Sequence, residues 1–413
     1  MEKLAIEGGK PVRSSPMPPR IMFDENEKKA VMNIIEKSMT GNQALDRYGG
    51  IEVDSYEKEF AEFFEMKYAT AVSSGTAAIH SALASLNPEP TSEVITSPIT
   101  DPGAVMPIIF QQCIPVFCDI DYDTLNPSPE SLKERITEKT KAIIVVHLAG
   151  IPSRIDEICK IAKEHNIFVI EDCAQAHCSK YKGKYVGSFG TLSAFSLMSG
   201  KHTTSGGQGG MVLTDDEDLY WNAKRFADRG KPFNSIEPTN LCIGLNYRMT
   251  EIEAAIGRQQ LKKNLKIAEK RKEIYINLVE FFKKELTAFR ILEADENSEP
   301  DPWFLFVNVR KDRLNTNNQL LAQVLQAEGI PVAQKYVVPI YQQKWFTEKN
   351  TFGKSKLPWS LSDARDIEYE HCCPIAEKAL DDHMTLSIHE YYETQEIYDI
   401  VEAFKKVEKF FLK

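Results

Sequence analysis

From Tyr68 to Asp228 the chain repeats one arrangement, in which a short apolar run is followed by a turn and then by helix formers. Such runs occupy 68–73, 93–97, 115–119, 141–147, 167–170, 194–198 and 211–214, and each is too short for an independent helix. Between them 77–86 and 153–165, and after the last of them 215–228, carry helix formers. Strands that alternate with helices are covered on both faces and join into a mainly parallel sheet. The expected fold class is therefore α/β.

The rest of the chain reads as additions to that core. Residues 1–40 hold the Pro- and Gly-rich GGKPVRSSPMPPR and a helix over 24–38, with Asp24 and Glu27 spaced as a capping pair. They form an arm. A helix is expected over 54–64, and the charged stretch 250–286 reads as one long connecting helix. ADENSEPDP marks a loop. Beyond it a strand at 304–309, a helix at 318–328 and a final helix at 394–411 suggest a smaller α+β domain. The expected division is an arm at 1–40, a large domain at 41–262 and a small C-terminal domain at 263–413.

The run 167–170 stops at Glu171-Asp172, which puts an acid at the carboxyl end of a core strand, where open α/β sheets bind ligands. About thirty residues on, the run 194–198 delivers Ser196 and then Lys201, followed by Gly206-Gly207-Gln208-Gly209-Gly210. A lysine and a carboxylate facing one cofactor suit pyridoxal phosphate chemistry. The amine forms a Schiff base, and the acid keeps the pyridine nitrogen protonated. On the residues alone the commoner readings are a helix cap or turn former for Asp172 and a solvated side chain for Lys201. Ser74-Gly75-Thr76, between a strand and a helix, offers backbone N–H groups and the positive end of a helix dipole to a phosphate.

Five motifs in order, SGT (74–76), EDCAQAH (171–177), Phe195-Ser196 with Lys201, Gly209-Gly210 and GLNYRM (244–249), resemble the DegT/DnrJ/EryC1/StrS family. The similarity runs from the early TGN and YGG segments to about residue 390. It implies a fold-type-I transferase with a mainly parallel seven-stranded sheet sandwiched by helices. It also implies an aminotransferase that uses pyridoxal 5'-phosphate and acts mostly on keto sugars.

On this resemblance Lys201 is the Schiff-base lysine and proton shuttle, and Asp172 pairs with the ring nitrogen. Gln175 sits near the ring hydroxyl, while Gly75, Thr76 and Ser196 hold the phosphate. Asn246 reaches the phosphate of the neighbouring subunit, which implies a homodimer with a shared site. The expected partners are an amino-acid donor, L-glutamate or L-glutamine, and a keto-sugar or ketocyclitol acceptor. Three departures from the family pattern gather on the substrate side: Asp101 where relatives carry an aromatic residue, Gln208 for a usual Glu, and Pro339-Ile340-Tyr341 without a His. They point to an unusual acceptor.

Other readings remain. Sugar dehydratases of the family carry His at the lysine position; here the His is one place later, at His202. A regulatory member keeps the fold without turnover. A dinucleotide fingerprint follows a strand and opens a helix, whereas the glycine cluster after Lys201 precedes a strand. A net charge of -10 argues against nucleic acid as a partner. No run approaches the ~20 apolar residues of a membrane span, the N-terminus lacks a signal-like apolar stretch, and the eight cysteines are scattered without a CxxC pair. A cytoplasmic protein is expected. His383 and His389 have no third partner at ligand spacing, so no metal site is expected. Cys372-Cys373 reads as packing, and Arg229 and Lys231 are candidates for a substrate phosphate.

Overall fold

The computed structural model describes residues 3–41, 45 and 50–413. Asn42 of the TGN segment and Tyr48 and Gly49 of the YGG segment lie outside them. The chain forms β1 (Tyr68–Val72), β2 (Glu93–Thr96), β3 (Ile114–Phe117), β4 (Thr140–Val146), β5 (Phe168–Asp172), β6 (Lys180–Tyr181), β7 (Lys184–Tyr185), β8 (Leu192–Ser196) and β9 (Gly210–Thr214). Seven of these make one sheet in the order β1-β9-β8-β5-β4-β2-β3. The run from β8 to β3 is parallel, and β9 is antiparallel to both neighbours. The segment between β8 and β9 contains no crossover helix, and a parallel return would require one.

Alternate residues of the strands enter separate cores. Ile144, Val146, Ile170, Ala194 and Val212 meet the helices Gly75–Ser85 and Glu217–Ala227. Ile143, Val145, Val169, Phe195 and Leu213 meet the helices Ile51–Phe63 and Ile155–Glu164 on the other face. The helices therefore sandwich the sheet, and the mainly parallel α/β expectation holds.

A second, antiparallel sheet holds β10 (Phe289–Ile291), β12 (Phe304–Val309), β13 (Val332–Ala333) and β14 (His383–Ser387) in the order β10-β12-β14-β13. The short β11 (Ser298–Glu299) instead pairs with β6, which joins β7 in a hairpin. Helices Asn264–Glu285 and Thr394–Phe411 supply Leu278, Phe282, Phe404 and Val407 to the second sheet's core, and Leu4 of the arm enters it as well. Among the described residues no helix is long and apolar enough to cross a membrane.

The single helix expected over 250–286 is two, Glu251–Leu261 and Asn264–Glu285. The first ends in a tight Lys263 N–H to Gln260 carbonyl bond of 2.9 Å. Lys263 then reaches Asp24 at 3.0 Å and Glu27 at 2.6 Å, so the break ties the arm helix, Glu25–Met39, to the junction. That arm helix carries the expected Asp24–Glu27 capping box.

Candidate active site

β5 and β8 are neighbours, and each ends in a residue singled out by the sequence, Asp172 and Ser196. Side chains alternate along β5, so Glu171 and Asp172 project to opposite faces. Glu171 is fully buried and saturated. Its carboxylate accepts from the amides of Gly187 (2.7 Å), Phe189 (2.7 Å) and Gly190 (2.6 Å) and from His147 Nε2 (3.0 Å). His147 Nδ1 in turn accepts from the Ser153 amide, which leaves the ring proton on Nε2. His147, Glu171 and Cys173 offer donor atoms within 4.8 Å of one another, but with both carboxylate oxygens taken the cluster is an anchor for the 187–190 turn.

Asp172 is only 8% exposed. Burial raises its carboxyl above the ordinary range, against the Ala174 amide and the charge of Lys201, which favour the ionised form. A carboxylate so placed is stabilised by an additional cation. Lys201 is equally buried, at 8% exposed. Desolvation lowers its amine to about 8, opposed by Asp172 and Asp101. Its Nζ lies 3.5 Å from the centroid of the Trp303 ring.

Beside this pair is a cradle. A Cβ on Gly75 would fall 2.7 Å from Ser196 Cβ and 3.0 Å from its Oγ, so the start of the helix Gly75–Ser85 lies directly against the end of β8. Ser74 caps that helix through its Oγ and the Ala77 amide at 3.0 Å, while the Gly75 and Thr76 amides belong to the first turn, which has no intrahelical partners. Gly210 of β9 permits the approach, since a Cβ there would sit 2.2 Å from the Ser74 carbonyl. His177 braces Ser196 by donating from Nε2 to its carbonyl at 2.9 Å. Burial holds that imidazole neutral, at about 3.

Gln175 is buried with both ends engaged: its Oε1 accepts from the Ala149 amide at 2.8 Å and its Nε2 donates to Tyr336 Oη at 2.9 Å. The Tyr336 phenol, raised by burial, also feels Asp101 and Asp172. Asp101 is exposed and accepts from the Gly103 amide at 2.8 Å; a Cβ on Gly103 would lie 2.5 Å from Thr76 Oγ1. Lys201, Asp172, Gln175, Ser196, Gly75 and Thr76 thus surround one region. Asn246 lies on the segment beside the cradle, where the neighbouring Tyr247 carbonyl accepts from the Ser73 amide at 2.7 Å. Asn246 itself is exposed, and its backbone bridges to Asp228. Arg229 lies 3.2 Å from Asp228. His202 turns to the carbonyl of Asp301, at 2.9 Å.

Sequence reasoning missed Arg20, Trp303 and Tyr336. Trp303 directly follows the ADENSEPDP loop, and Arg20, which donates to the Lys201 carbonyl at 2.7 Å, ends the Pro-rich stretch of the arm; neither segment has a periodicity that would expose these contacts.

The model of the DegT/DnrJ/EryC1/StrS aminotransferase family matches residues 25–405. A GDP-perosamine synthase from Escherichia coli O157:H7 is 35% identical over 327 residues, which is 76% of this chain and 87% of that protein. A putative L-glutamine:3-amino-2,3-dideoxy-scyllo-inosose aminotransferase from Streptoalloteichus tenebrarius is 29% identical over 84% of this chain and 83% of its own. The crystal structure of an aminotransferase from Psychrobacter cryohalolentis superposes with a TM-score of 0.84 at 30% identity, covering 96% of this chain and all of that one.

Proposed function

The chain belongs to the DegT/DnrJ/EryC1/StrS aminotransferase family, and on that premise we propose that it uses pyridoxal 5'-phosphate to move an amino group from L-glutamate or L-glutamine to a keto sugar or a ketocyclitol. The observation that carries this reading is the burial of Lys201 and Asp172 beside the Gly75–Ser196 cradle. The donor set fits the group: a dianion at the first-turn amides of a helix, an amine for an aldehyde, and a buried carboxylate for a ring cation.

Bound pyridoxal phosphate would supply an aldehyde that captures amines and a ring that withdraws electrons from the carbon attached to them. The protein's part is to place and to move protons. The Gly75 and Thr76 amides and the Ser196 hydroxyl hold the phosphate without adding a titrating base. Asp172, whose charge burial disfavours, gains a partner in a protonated ring nitrogen and keeps that nitrogen charged. Gln175, fixed between Ala149 and Tyr336, would meet the ring hydroxyl. Lys201 has an amine lowered to about 8, close enough to physiological pH to take a proton from the donor's α-carbon and deliver it again.

Asn246 completes the phosphate site from a second copy of the chain in this reading. Its loop supports that assignment: Ile236 is 101% and Ile243 90% exposed, an apolar surface suited to burial against a partner. Residues 41–262 then form the cofactor-binding unit and 263–413 the smaller unit, in a cytoplasmic enzyme. Glutamine as a donor and an inosose as an acceptor are the words in the name of the Streptoalloteichus tenebrarius relative, and a GDP-linked sugar is in that of the Escherichia coli relative.

The test is the visible absorption of the purified protein with added pyridoxal phosphate, before and after each donor, beside Lys201→Ala. A band of lysine-linked cofactor that bleaches with one donor, and is missing in the variant, is the expected result. Absence of the band in the wild type overturns the reading. The aminated form can then be offered GDP-linked keto sugars and ketocyclitols.

A further inference from the structure

Residues 199–209, which carry Lys201, belong to no helix or strand, and they are gripped from outside by the N-terminal arm. The guanidinium of Arg20 donates from Nη1 to the Lys201 carbonyl at 2.7 Å, with a longer contact to that of Gly200 at 3.5 Å. Its Nη2 donates to the His202 carbonyl at 2.8 Å. Its Nε is held by Glu390 Oε1 at 2.9 Å. One planar fork thus spans three successive carbonyls and one carboxylate, a geometry that an ammonium lacks.

The grip closes on itself. Glu390 Oε2 also accepts from Arg271 Nε at 3.0 Å. Arg271 is 1% exposed and donates from Nη1 to the carbonyls of Pro302 (2.9 Å) and Trp303 (3.2 Å). Trp303 returns to the lysine segment through Nε1 to the Gly200 carbonyl at 2.8 Å, and its ring faces Lys201 Nζ. Burial disfavours the Glu390 charge, but the two arginines outweigh it and hold the carboxyl below its usual range.

Residues on both sides of Glu390 fasten the arm on both sides of Arg20. His389 Nε2 donates to the Pro18 carbonyl at 3.0 Å, and Tyr391 Oη donates to the Ile21 carbonyl at 2.8 Å. Three consecutive residues of one loop therefore seat the arm, and the arm seats the lysine segment.

We propose that Arg20 is a positioning residue for Lys201, acting through the carbonyls of 200–202 and kept in register by Glu390, so that the N-terminal arm sets the geometry of amino transfer. This rests on reading Lys201 as the cofactor-linked lysine. It assigns to a Pro-rich arm, outside the sheet that holds the cofactor residues, control over the rate of the first half-reaction.

The experiment compares full-length wild type, Arg20→Ala, Arg20→Lys and Glu390→Gln. Single-turnover bleaching of the visible band gives the rate and the half-saturating donor concentration. In cofactor-stripped protein, the pH profile of Lys201 acetylation, read by mass spectrometry, reports the amine itself. Arg20→Ala is expected to slow the turnover on the order of 100-fold, the scale of a 1 Å misplacement. Donor half-saturation should stay within about twofold, the acetylation profile should move, and Arg20→Lys should not rescue.

Wild-type turnover per folded molecule together with an unmoved profile overturns the inference, whatever happens to melting temperature. Wild type that never forms the band overturns the functional reading instead, and the acetylation profile still decides whether the arm governs the lysine. If Arg20→Ala does not fold, Tyr391→Phe removes only the hydroxyl that seats the arm and should slow turnover about threefold or more; unchanged turnover there overturns the inference as well.

Discussion

The Lys201 amine lies 3.5 Å from the centre of the Trp303 ring, and the same indole donates to the carbonyl of Gly200, the residue before that lysine. One side chain therefore fixes both ends of the lysine. A cation over an indole is worth about 0.5–2 kcal/mol, and a neutral hydrogen bond about 1 kcal/mol net. Trp303→Phe keeps a ring and loses the donor, so the first half-reaction should slow about fivefold; Trp303→Ala loses both and should slow it about 30-fold or more. Stopped-flow bleaching of the cofactor band measures each. Equal rates in the two variants would show that the ring itself contributes nothing.

Glu171 and Asp172 are adjacent acids with separable work. Removing the Glu171 carboxylate strands three amides and His147 in the interior, a loss of about 3–5 kcal/mol. Glu171→Ala should lower the urea midpoint strongly. Asp172→Asn keeps an acceptor for the Ala174 amide, relieves a buried charge and should change stability by under ~1 kcal/mol. Its effect belongs in turnover, with a loss on the order of 100-fold or more once the ring cation has no counter-charge. The reverse pattern in urea titrations and single turnovers would exchange the two roles.

Gly75 tests the cradle. Alanine is the better helix former by up to ~1 kcal/mol, yet its Cβ would meet Ser196 at 2.7 Å, and overpacking costs about 1–3 kcal/mol. The clash should win, so Gly75→Ala lowers both the melting temperature of the stripped protein and its affinity for pyridoxal phosphate. Equilibrium dialysis of the cofactor decides it, with unchanged affinity the result that removes Gly75 from the phosphate site.

The parts of this site that were legible in the sequence are those that sit at strand ends. The run before Asp172 is β-branched and the run holding Ser196 is apolar, so both positions followed from strand length, and the SGT turn followed from its place between a strand and a helix. Arg20 and Trp303 act through coil against coil, across 181 and 103 residues of sequence, and no periodicity encodes which two coils meet. β14 carries no strand signal for a related reason: its five residues begin with a buried His383, hydrogen-bonded to the Ala379 carbonyl, and they lack the apolar run of the first sheet. The unbroken charged pattern over 250–286 hid the turn at Lys262–Lys263, because the break is set by ion pairs to Asp24 and Glu27 in a distant helix.

A shared site makes a prediction by complementation. If Asn246 serves the neighbouring subunit, Lys201→Ala and Asn246→Ala are each impaired alone, but a mixed dimer carries one site with both groups intact. Equal amounts, dissociated and allowed to pair at random, should recover up to about a quarter of the wild-type rate. No recovery on mixing, with dimers verified by native mass spectrometry, would place Asn246 with its own chain's site or outside any site.

The burial that tunes Lys201 also makes it costly to the fold, and the sign is open to test. Its amine is lowered from 10.5 to about 8, so between those values the native protein binds fewer protons here than the unfolded chain. Stability contributed by this group therefore rises with pH across that window. Below pH 8 both states carry the proton, and the buried ammonium costs ~3 kcal/mol. Lys201→Met, of similar length and uncharged, should stabilise the cofactor-free protein at pH 7 by up to about that amount, with the advantage shrinking as the pH approaches 10. Urea unfolding of the two stripped proteins at pH 7, 8.5 and 10 measures the difference. A constant gap would mean that the lysine's charge is not penalised in the fold, and a gap that widens with pH would mean that it is stabilised there, which leaves no reason for this amine to shed its proton near neutrality.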